Sequence, residues 1–248
     1  MTACLASVRS LSEANLVAAA GVPWIDLKDP ASGALGAVSP AVMHEVAARW
    51  RGHRTLSATV GDCWEQPEDI VRRVRAVAAA GLDYAKVGLF AHRPSPALLA
   101  GLRAACDAGC GVIAVCFAES PPDSEDLRHL AELGLAGLML DTADKHGAGL
   151  SELVTESALG EFVRPVRAPG LICGLAGRLA LADLPRLLPL GADYLGFRGA
   201  LCAGQGRTGA VDAAAVRQVL GMFEVFDHSA RGLAPLREHL AQAAPRES

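Results

Sequence analysis

Lysine is scarce in this sequence, which has 248 residues and 23 lysine and arginine residues in total. Only three of these 23 are lysines, namely Lys28, Lys86 and Lys145. Arginine therefore meets nearly every need for positive charge. A guanidinium stays protonated in practice, whereas an amine can lose its proton and attack a carbonyl. The three retained lysines therefore indicate Schiff-base or general-base chemistry.

Other absences exclude whole classes of protein. Aromatic residues make up 4% of the chain, the net charge is −4 and no basic stripe is present, so we expect no nucleic-acid partner. No apolar run reaches the ~18 residues that a membrane span needs, and no signal-peptide pattern opens the chain. The seven cysteines are scattered, without a CxxC or HExxH motif. We therefore expect a cytoplasmic protein with reduced thiols, no membrane association, no metal site and no cofactor.

Short apolar runs alternate with amphipathic helical segments along the chain, with no linker or low-complexity tract between them. Eight of these runs are strand candidates, each followed by a helix candidate: 4–8, 23–29, 55–61, 83–90, 111–118, 135–142, 168–177 and 193–201. This pattern predicts an α/β fold, a single (β/α)₈ TIM barrel over residues 1–248 with closing helices from Ala213. A doubly wound open sheet is the alternative, but no GxGxxG motif opens a helix after the first strand.

Charged side chains at the C-terminal ends of the predicted strands mark the expected active site. Asp26 and Lys28 alternate in "WIDLKDP", so both should point into the barrel mouth. Lys86 lies in the fourth run, whereas Asp141 and Lys145 lie at the end of the sixth run and just beyond it. Burial and repulsion between Lys28 and Lys86 would lower their pKa values, and the aspartates would hold ammonium groups or move protons. The alternative is an ordinary lysine–aspartate ion pair, which is nearly as good an interpretation for Lys145.

Glycine-rich stretches follow the seventh and eighth runs, where barrels often bind phosphate. Gly174 and Gly177 belong to "GLAG", and Gly199 follows Arg198 in "GFRGA". Glycine lets backbone N–H groups approach an anion, and either Arg198 or Arg207 could bind phosphate oxygens in a forked geometry. A phosphate site beside amine nucleophiles predicts a small phosphorylated aldehyde or ketone as the substrate.

Five segments of the chain together resemble the (5-formylfuran-3-yl)methyl phosphate synthase family, also called 4-(hydroxymethyl)-2-furancarboxaldehyde-phosphate synthase. These segments are "DLKDPASGALGA" (26–37), "YAKVGLF" (84–90), "LDTADKHGAGL" (140–150), "GLAGRL" (174–179) and "GFRGALC" (196–202). The resemblance implies a TIM barrel that condenses two molecules of glyceraldehyde 3-phosphate into a phosphorylated furan aldehyde, with loss of one phosphate and water. It also implies a place in methanofuran-type cofactor synthesis. The alanine- and arginine-rich composition is typical of a GC-rich bacterium, so the resemblance implies the bacterial branch of the family, whose members come from methylotrophs.

The resemblance implies roles for individual residues. Lys28 in "DLKDP" matches the Schiff-base lysine of the family, and Lys86 in "YAKVG" matches its proton-accepting lysine. Asp141 and Lys145 match the family's D-x-x-x-K pair. Asp26 matches the acid two residues before the nucleophile.

One feature of the family is missing, because residues 111–126 contain no counterpart of a further lysine that archaeal members carry near the fifth strand. Arg9, after the first strand, is our candidate substitute and is grouped with the substrate-binding residues. Two other functions stay open: another Schiff-base aldolase or dehydratase on a small phosphorylated aldehyde or ketone, and a non-catalytic phosphometabolite-binding barrel. We also expect a homo-oligomer, and the apolar residues 222–226 fit either a core or an interface.

Overall fold

A closed barrel of parallel strands forms the centre of the molecule. The computed structural model describes residues 1–62, 67–90, 95–144 and 147–242. Its strands run in chain order around the barrel, and β1 is hydrogen-bonded to both β2 and β8. They are β1 (Ala3–Val8), β2 (Trp24–Leu27), β3 (Thr55–Thr59), β4 (Tyr84–Gly88), β5 (Gly111–Phe117), β6 (Gly137–Asp141), β7 (Ile172–Leu175) and β8 (Tyr194–Phe197). Closure confirms the predicted (β/α)₈ fold and excludes the open sheet.

Helices cover the outside of the barrel. Within the described ranges they are α1 (Leu11–Ala19), α2 (Pro40–Trp50), α3 (Pro67–Ala80), α4 (Pro96–Cys106), α5 (Ser124–Ala131), α6 (Leu150–Leu153), α7 (Glu156–Arg167), α8 (Leu184–Leu187) and α9 (Ala213–Gln242). The segment between β6 and β7 forms two helices, α6 and α7, because Val154 takes an extended conformation with φ −127°. Thr155 then caps α7 by accepting a hydrogen bond from the N–H of Ala158.

The closing helix α9 packs on the barrel through part of its length. Phe223 is buried and meets Phe197 edge-on, with ring centroids 6.2 Å apart, whereas Val225 is 64% exposed. The homo-oligomer expected from the sequence stays a prediction. Across the ranges given above, no helix combines the length and the apolar character that crossing a bilayer requires.

The apolar residues form two clusters, one between the strands and the helices and one inside the barrel. The interior cluster includes Leu5, Trp24, Ile113, Met139 and Tyr194, which come from five different strands. These side chains fill the barrel from within, as TIM barrels require. Polar groups that point inward nearer the C-terminal ends of the strands therefore rest on a packed apolar floor.

Strand register places three small polar residues in one row across the barrel wall. Ser7 of β1 lies opposite Asp26 of β2, and Asp26 lies opposite Ser57 of β3. Lys86 of β4 lies opposite Thr59 of β3, two residues closer to the mouth. Because partners in register point to the same side of the sheet, these side chains meet inside the barrel.

Candidate active site

A cavity of about 940 Å³ opens at the C-terminal end of the barrel. This volume lies near the upper end of the range usual for small-molecule sites. Asp26, Lys28, Lys86 and Asp141 all line it, so the structure brings together four of the five predicted catalytic residues. The fifth, Lys145, lies outside the described residues, as do His92 and His146.

The four charged groups form two ion pairs that cross between strands. The ammonium of Lys86 lies 3.0 Å from Oδ1 of Asp26, and the ammonium of Lys28 lies 3.4 Å from Oδ2 of Asp141. Asp26 and Lys28 do face the same cavity, as their spacing predicts. The partner of Asp26 is nevertheless Lys86 of β4, because Lys28 lies beyond the last residue of β2 and reaches across to β6.

The two lysines differ in their access to the cavity. The side chain of Lys86 is 2% exposed, whereas that of Lys28 is 12% exposed. Burial lowers the pKa of Lys86, and the carboxylate of Asp26 opposes this effect by charge and hydrogen bonding, with a net pKa below the ordinary lysine value. Lys86 is therefore a buried amine of reduced basicity, placed behind a more accessible one.

Asp26 accepts hydrogen bonds from two serines in addition to its ion pair. The hydroxyl of Ser57 lies 2.5 Å from Oδ1, and the hydroxyl of Ser7 lies 3.1 Å from Oδ2. The indole N–H of Trp24 in turn donates to Ser57 at 2.9 Å. The spacing of residues within each strand does not predict these hydrogen bonds. They follow from the register of the first three strands, which places Ser7, Asp26 and Ser57 side by side.

Aromatic rings form the floor under these hydrogen bonds. Trp24 lies between Tyr84 and Tyr194, with ring centroids 5.2 Å and 4.6 Å away. The Lys86 ammonium lies 5.1 Å from the centre of the Tyr194 ring, close enough for a cation–π interaction. A Cβ at Gly174 would overlap the Tyr194 ring. Gly174 is thus required for packing rather than for phosphate binding, and it does not appear in the cavity wall.

Replacing Gly174 with alanine is expected to destabilise the fold by about 1–3 kcal/mol, since the added methyl group must displace a fully buried ring. Gly160→Ala, inside α7, is the matched control. A Cβ there meets only Leu190 at 3.9 Å, so the change should be neutral or stabilise by up to ~1 kcal/mol. Urea denaturation measures both effects. Equal stability of the two variants would contradict this account of Gly174.

Two other predicted glycines do line the cavity. Gly177 follows β7 with φ 114°, where a Cβ would lie 2.8 Å from Cγ2 of Thr142. Gly199 begins a short 3₁₀ turn, Gly199–Leu201, directly after β8. Glycine is required at Gly177 by both backbone conformation and space. Because neither glycine has a side chain, the main chain of both loops lies directly at the edge of the cavity.

Arg198 has no free donor for a phosphate, which contradicts its predicted role. Its Nη1 and Nη2 atoms bind both carboxylate oxygens of Glu13, at 2.6 Å and 3.2 Å. Its remaining three N–H groups donate to the carbonyl oxygens of Ser7, Arg207 and Gly209. All five donors of the guanidinium are used. Arg198 therefore ties the loop after β8 to β1 and α1.

Arg9, unlike Arg198, is not among the residues that line the cavity, contrary to prediction. Its side chain is 42% exposed, and its guanidinium approaches Glu13 at 3.6 Å and donates to the carbonyl oxygen of Thr208. Burial alone would raise the pKa of Glu13, but the hydrogen bonds and charges of Arg198 and Arg9 outweigh it and hold this pKa below its usual value. Glu13 therefore stays ionised and anchors both arginines.

Arg207 lies at the mouth of the cavity, which Arg178 and Arg198 also line. Its Nη2 donates to the carbonyl oxygens of Pro30 and Gly33, in the loop that follows Lys28. Arg207 also lines the cavity, and burial lowers the pKa of its guanidinium. In the described part of the chain no carboxylate lies within ion-pair distance of it.

Apolar side chains fill the β5 side of the mouth, where the archaeal lysine has no counterpart. Leu35, from the loop after β2, packs into the interior cluster beside Phe117 of β5. The rings of Phe90 and Phe117 stack with centroids 4.6 Å apart. No residue of β5 is among those that line the cavity.

Metal coordination has no support in the described residues, which contain no group of three or more His, Cys, Asp or Glu side chains placed to hold an ion. The described wall of the cavity presents two amines and two carboxylates, those of Lys28, Lys86, Asp26 and Asp141.

The closed barrel and the charged cavity at its C-terminal mouth define the class of the protein, a TIM-barrel enzyme. Solved structures are similar at the level of fold. Phosphoribosyl anthranilate isomerase from Thermus thermophilus matches with a TM-score of 0.66 over 91% of this chain and 100% of that one, at 16% identity. 3-Keto-L-gulonate-6-phosphate decarboxylase from Vibrio cholerae matches with a TM-score of 0.61 over 89% and 98% of the two chains, at 15% identity.

Sequence comparison is more specific. The family model of 4-HFC-P synthase matches residues 4–220, and the chain belongs to this (5-formylfuran-3-yl)methyl phosphate synthase family. A Methylorubrum extorquens protein that provisionally bears the same name is 39% identical over 87% of this chain and 89% of that protein. The synthases of Methanopyrus kandleri and Methanosarcina mazei are 36% and 32% identical, over 80% and 82% of this chain and 89% and 92% of those proteins.

Proposed function

We propose that the protein condenses two molecules of glyceraldehyde 3-phosphate into (5-formylfuran-3-yl)methyl phosphate through a Schiff base on Lys28, for the synthesis of a methanofuran-type cofactor. The names of the relatives support the product. The observation that carries the mechanism is the arrangement of two lysine–aspartate pairs in one cavity, with Lys28 accessible and Lys86 buried behind it.

Lys28 is the better placed nucleophile. Its side chain is 12% exposed, and its amine lies 3.4 Å from Oδ2 of Asp141. Asp141 can take the proton that the amine must lose before it attacks a carbonyl, and it can return a proton when the carbinolamine loses water. Oδ1 of Asp141 is held by the backbone N–H of Thr142 at 2.7 Å, which leaves Oδ2 directed at Lys28.

Lys86 is the better placed base. Its amine is buried and its pKa is lowered. The neutral form, which can accept a proton, is therefore more populated at physiological pH than in an ordinary lysine. After imine formation at Lys28, Lys86 takes the proton from the carbon next to the imine carbon. The electron pair left behind forms an enamine and then expels the phosphate of the same triose.

The remaining steps join the two trioses. The terminal carbon of the dephosphorylated triose, now nucleophilic, bonds to C2 of the second triose phosphate, which reacts as its ketone isomer. The C1 hydroxyl of that second triose then closes the ring on C2 of the first, loss of water gives the furan, and hydrolysis of the imine frees Lys28. Two triose phosphates balance against one furan phosphate, one inorganic phosphate and two water molecules. No net oxidation or reduction occurs, so the reaction requires no redox partner.

Incubation of the purified enzyme with glyceraldehyde 3-phosphate tests this function. NMR spectroscopy and mass spectrometry should identify the furan aldehyde, with one inorganic phosphate released for each furan formed. A different condensation or dehydration product would favour another Schiff-base aldolase or dehydratase. Thermal stabilisation by the triose phosphate without any turnover would favour a binding protein.

Two substrate molecules bring two phosphate groups into the cavity. We assign one to the backbone of the loops at Gly177 and Gly199, and the other to Arg207. The guanidinium of Arg207 uses Nη2 for Pro30 and Gly33, so Nε and Nη1 are the groups we propose for the phosphate oxygens. A desolvated cation in the cavity wall without an ion-pair partner in the described part of the chain fits an anionic ligand.

Arg207→Gln is therefore expected to raise KM for glyceraldehyde 3-phosphate by about 10- to 100-fold, because a hydrogen bond to a charged group contributes ~1.5–3 kcal/mol. Arg9→Gln is the matched control. Arg9 contacts the neighbouring Thr208 from outside the cavity, so its KM should stay within about twofold of the native value. Steady-state kinetics measures both variants. An unchanged KM in Arg207→Gln would contradict the assignment.

A further inference from the structure

A buried chain of hydrogen bonds runs from the barrel floor to Lys86. Trp24 Nε1 lies 2.9 Å from Ser57 Oγ, Ser57 Oγ lies 2.5 Å from Asp26 Oδ1, and Asp26 Oδ1 lies 3.0 Å from Lys86 Nζ. We infer that Trp24 and Ser57 are positioning residues that fix the carboxylate of Asp26 beside Lys86 and thereby set the pH at which Lys86 releases its proton. This inference rests on the proposed role of Lys86 as the base.

The direction of each hydrogen bond in the chain follows from its chemistry. An indole nitrogen can only donate, so the hydroxyl oxygen of Ser57 accepts from Trp24. The single hydroxyl proton of Ser57 is then free to point at Oδ1 of Asp26, which lies 2.5 Å away. Ser7 donates to the other carboxylate oxygen at 3.1 Å. Asp26 thus receives two hydroxyl donors in addition to the Lys86 ammonium.

Packing fixes the position of the first donor. The Trp24 ring lies between Tyr84 and Tyr194 and is 7% exposed, so the indole has little freedom to turn its N–H away from Ser57. Tyr194 is fully buried and occupies the space that Gly174 leaves open. The orientation of the Ser57 hydroxyl is consequently determined by the aromatic floor of the barrel.

The electrostatic effect of this chain on Lys86 has a definite sign. When Lys86 is protonated, its charge compensates that of Asp26; when Lys86 is neutral, Asp26 depends on Ser57 and Ser7 alone. The serine hydrogen bonds therefore stabilise the state with neutral Lys86 more than the state with the ammonium. They shift proton release by Lys86 to lower pH, where a general base is useful.

Among the described residues, four groups other than the serines act on the Lys86 ammonium or contact it. Asp26 and Asp141 favour its charged form, and Lys28 disfavours it. The Tyr194 ring contacts the ammonium from β8, and burial raises the pKa of its phenol well above the ordinary value, so Tyr194 remains neutral. Removal of the Asp26 charge and removal of the Ser57 hydroxyl should therefore shift the titration of Lys86 in opposite directions.

The low lysine content provides a direct measurement. Protein labelled with ¹³C at the ε carbon of lysine has three lysine signals, which Lys28→Arg and Lys145→Arg assign. In Ser57→Ala the Lys86 titration should move to higher pH by about half a unit or more, and in Trp24→Phe it should move less in the same direction. Asp26→Asn should move it to lower pH. Ser57→Thr, which keeps the hydroxyl, should restore the native midpoint.

Tyr84→Phe is the matched control, because Tyr84 contacts the same indole ring but lies outside the hydrogen-bond chain. Its Lys86 midpoint should stay at the native value. The titration is carried out without substrate, so it tests this inference independently of the proposed reaction. Failure of the proposed reaction would instead appear as absence of the furan product in the activity assay. Unchanged midpoints in both folded Trp24→Phe and Ser57→Ala, or a shift to lower pH, would overturn the inference. If Ser57→Ala does not fold, Trp24→Phe alone decides.

Discussion

Replacing Lys28 with arginine is expected to lower kcat/KM on the order of 10³-fold or more, because the covalent intermediate can no longer form. Arginine keeps the positive charge next to Asp141, so the ion pair and the fold should persist. A guanidinium does not lose its proton in practice and cannot form an imine with an aldehyde. Steady-state kinetics with glyceraldehyde 3-phosphate, together with a circular dichroism spectrum, measures the loss and verifies the fold.

The matched control for Lys28→Arg is a charge-conserving change at a surface ion pair. Arg72 pairs with Asp69 at 2.8 Å on α3, and its side chain is 68% exposed. Arg72→Lys should leave kcat/KM unchanged and alter stability by less than ~1 kcal/mol. Substantial turnover by Lys28→Arg would mean that Lys28 is an ion-pair residue only, and it would favour a mechanism without an imine.

Replacing Lys86 with methionine should lower kcat by about 10²- to 10⁴-fold, the range usual for loss of a general base. Methionine has a similar length and suits a site with 2% exposure, but it cannot accept a proton. The first step should survive, because Lys28 and Asp141 form a separate pair. Single-turnover experiments should therefore detect the imine at Lys28 without release of phosphate. Phosphate release at the native rate would contradict the role of Lys86.

The same variant has a pH-dependent effect on stability. Burial lowers the pKa of Lys86 in the folded protein, so at alkaline pH the unfolded chain binds more protons than the folded one. The free energy of unfolding should therefore rise with pH below the ordinary lysine pKa of ~10.4, and Lys86→Met should remove this rise. Denaturation at a series of pH values measures the difference between the two proteins. A constant difference would contradict the lowered pKa.

The sequence predicts the fold well because the alternation of apolar runs and helices repeats along the whole chain. The sequence also predicts that four charged residues share one cavity, because all of them lie at the C-terminal ends of parallel strands: Asp26, Lys28, Lys86 and Asp141. The pairing of these groups was not predictable from spacing within one strand. It depends on how far each side chain reaches across the barrel, and Asp26 consequently pairs with Lys86 rather than with the nearby Lys28.

The phosphate-binding residues show a different limit of sequence analysis. Arg198 lies in the expected loop, but it is saturated by Glu13 and backbone carbonyls. Gly174 lies within β7 instead of the loop after it, and it makes room for Tyr194. Motif position alone does not distinguish a ligand-binding arginine from a structural one, because both use the same donors. The two arginines are distinguished by their contacts: Arg198 binds Glu13 of α1, whereas Arg207 binds the carbonyl oxygen of Pro30 in the loop after β2.

Reductive trapping tests the central claim most directly. The native enzyme is incubated with glyceraldehyde 3-phosphate and sodium borohydride, digested, and analysed by mass spectrometry. The three lysines lie far apart in the sequence, so each falls in a separate peptide and the modified site is unambiguous. The account predicts a reduced triose adduct on Lys28 and its loss in Lys28→Arg. An adduct on Lys86 or Lys145 instead, or turnover with no adduct on any lysine, would contradict it.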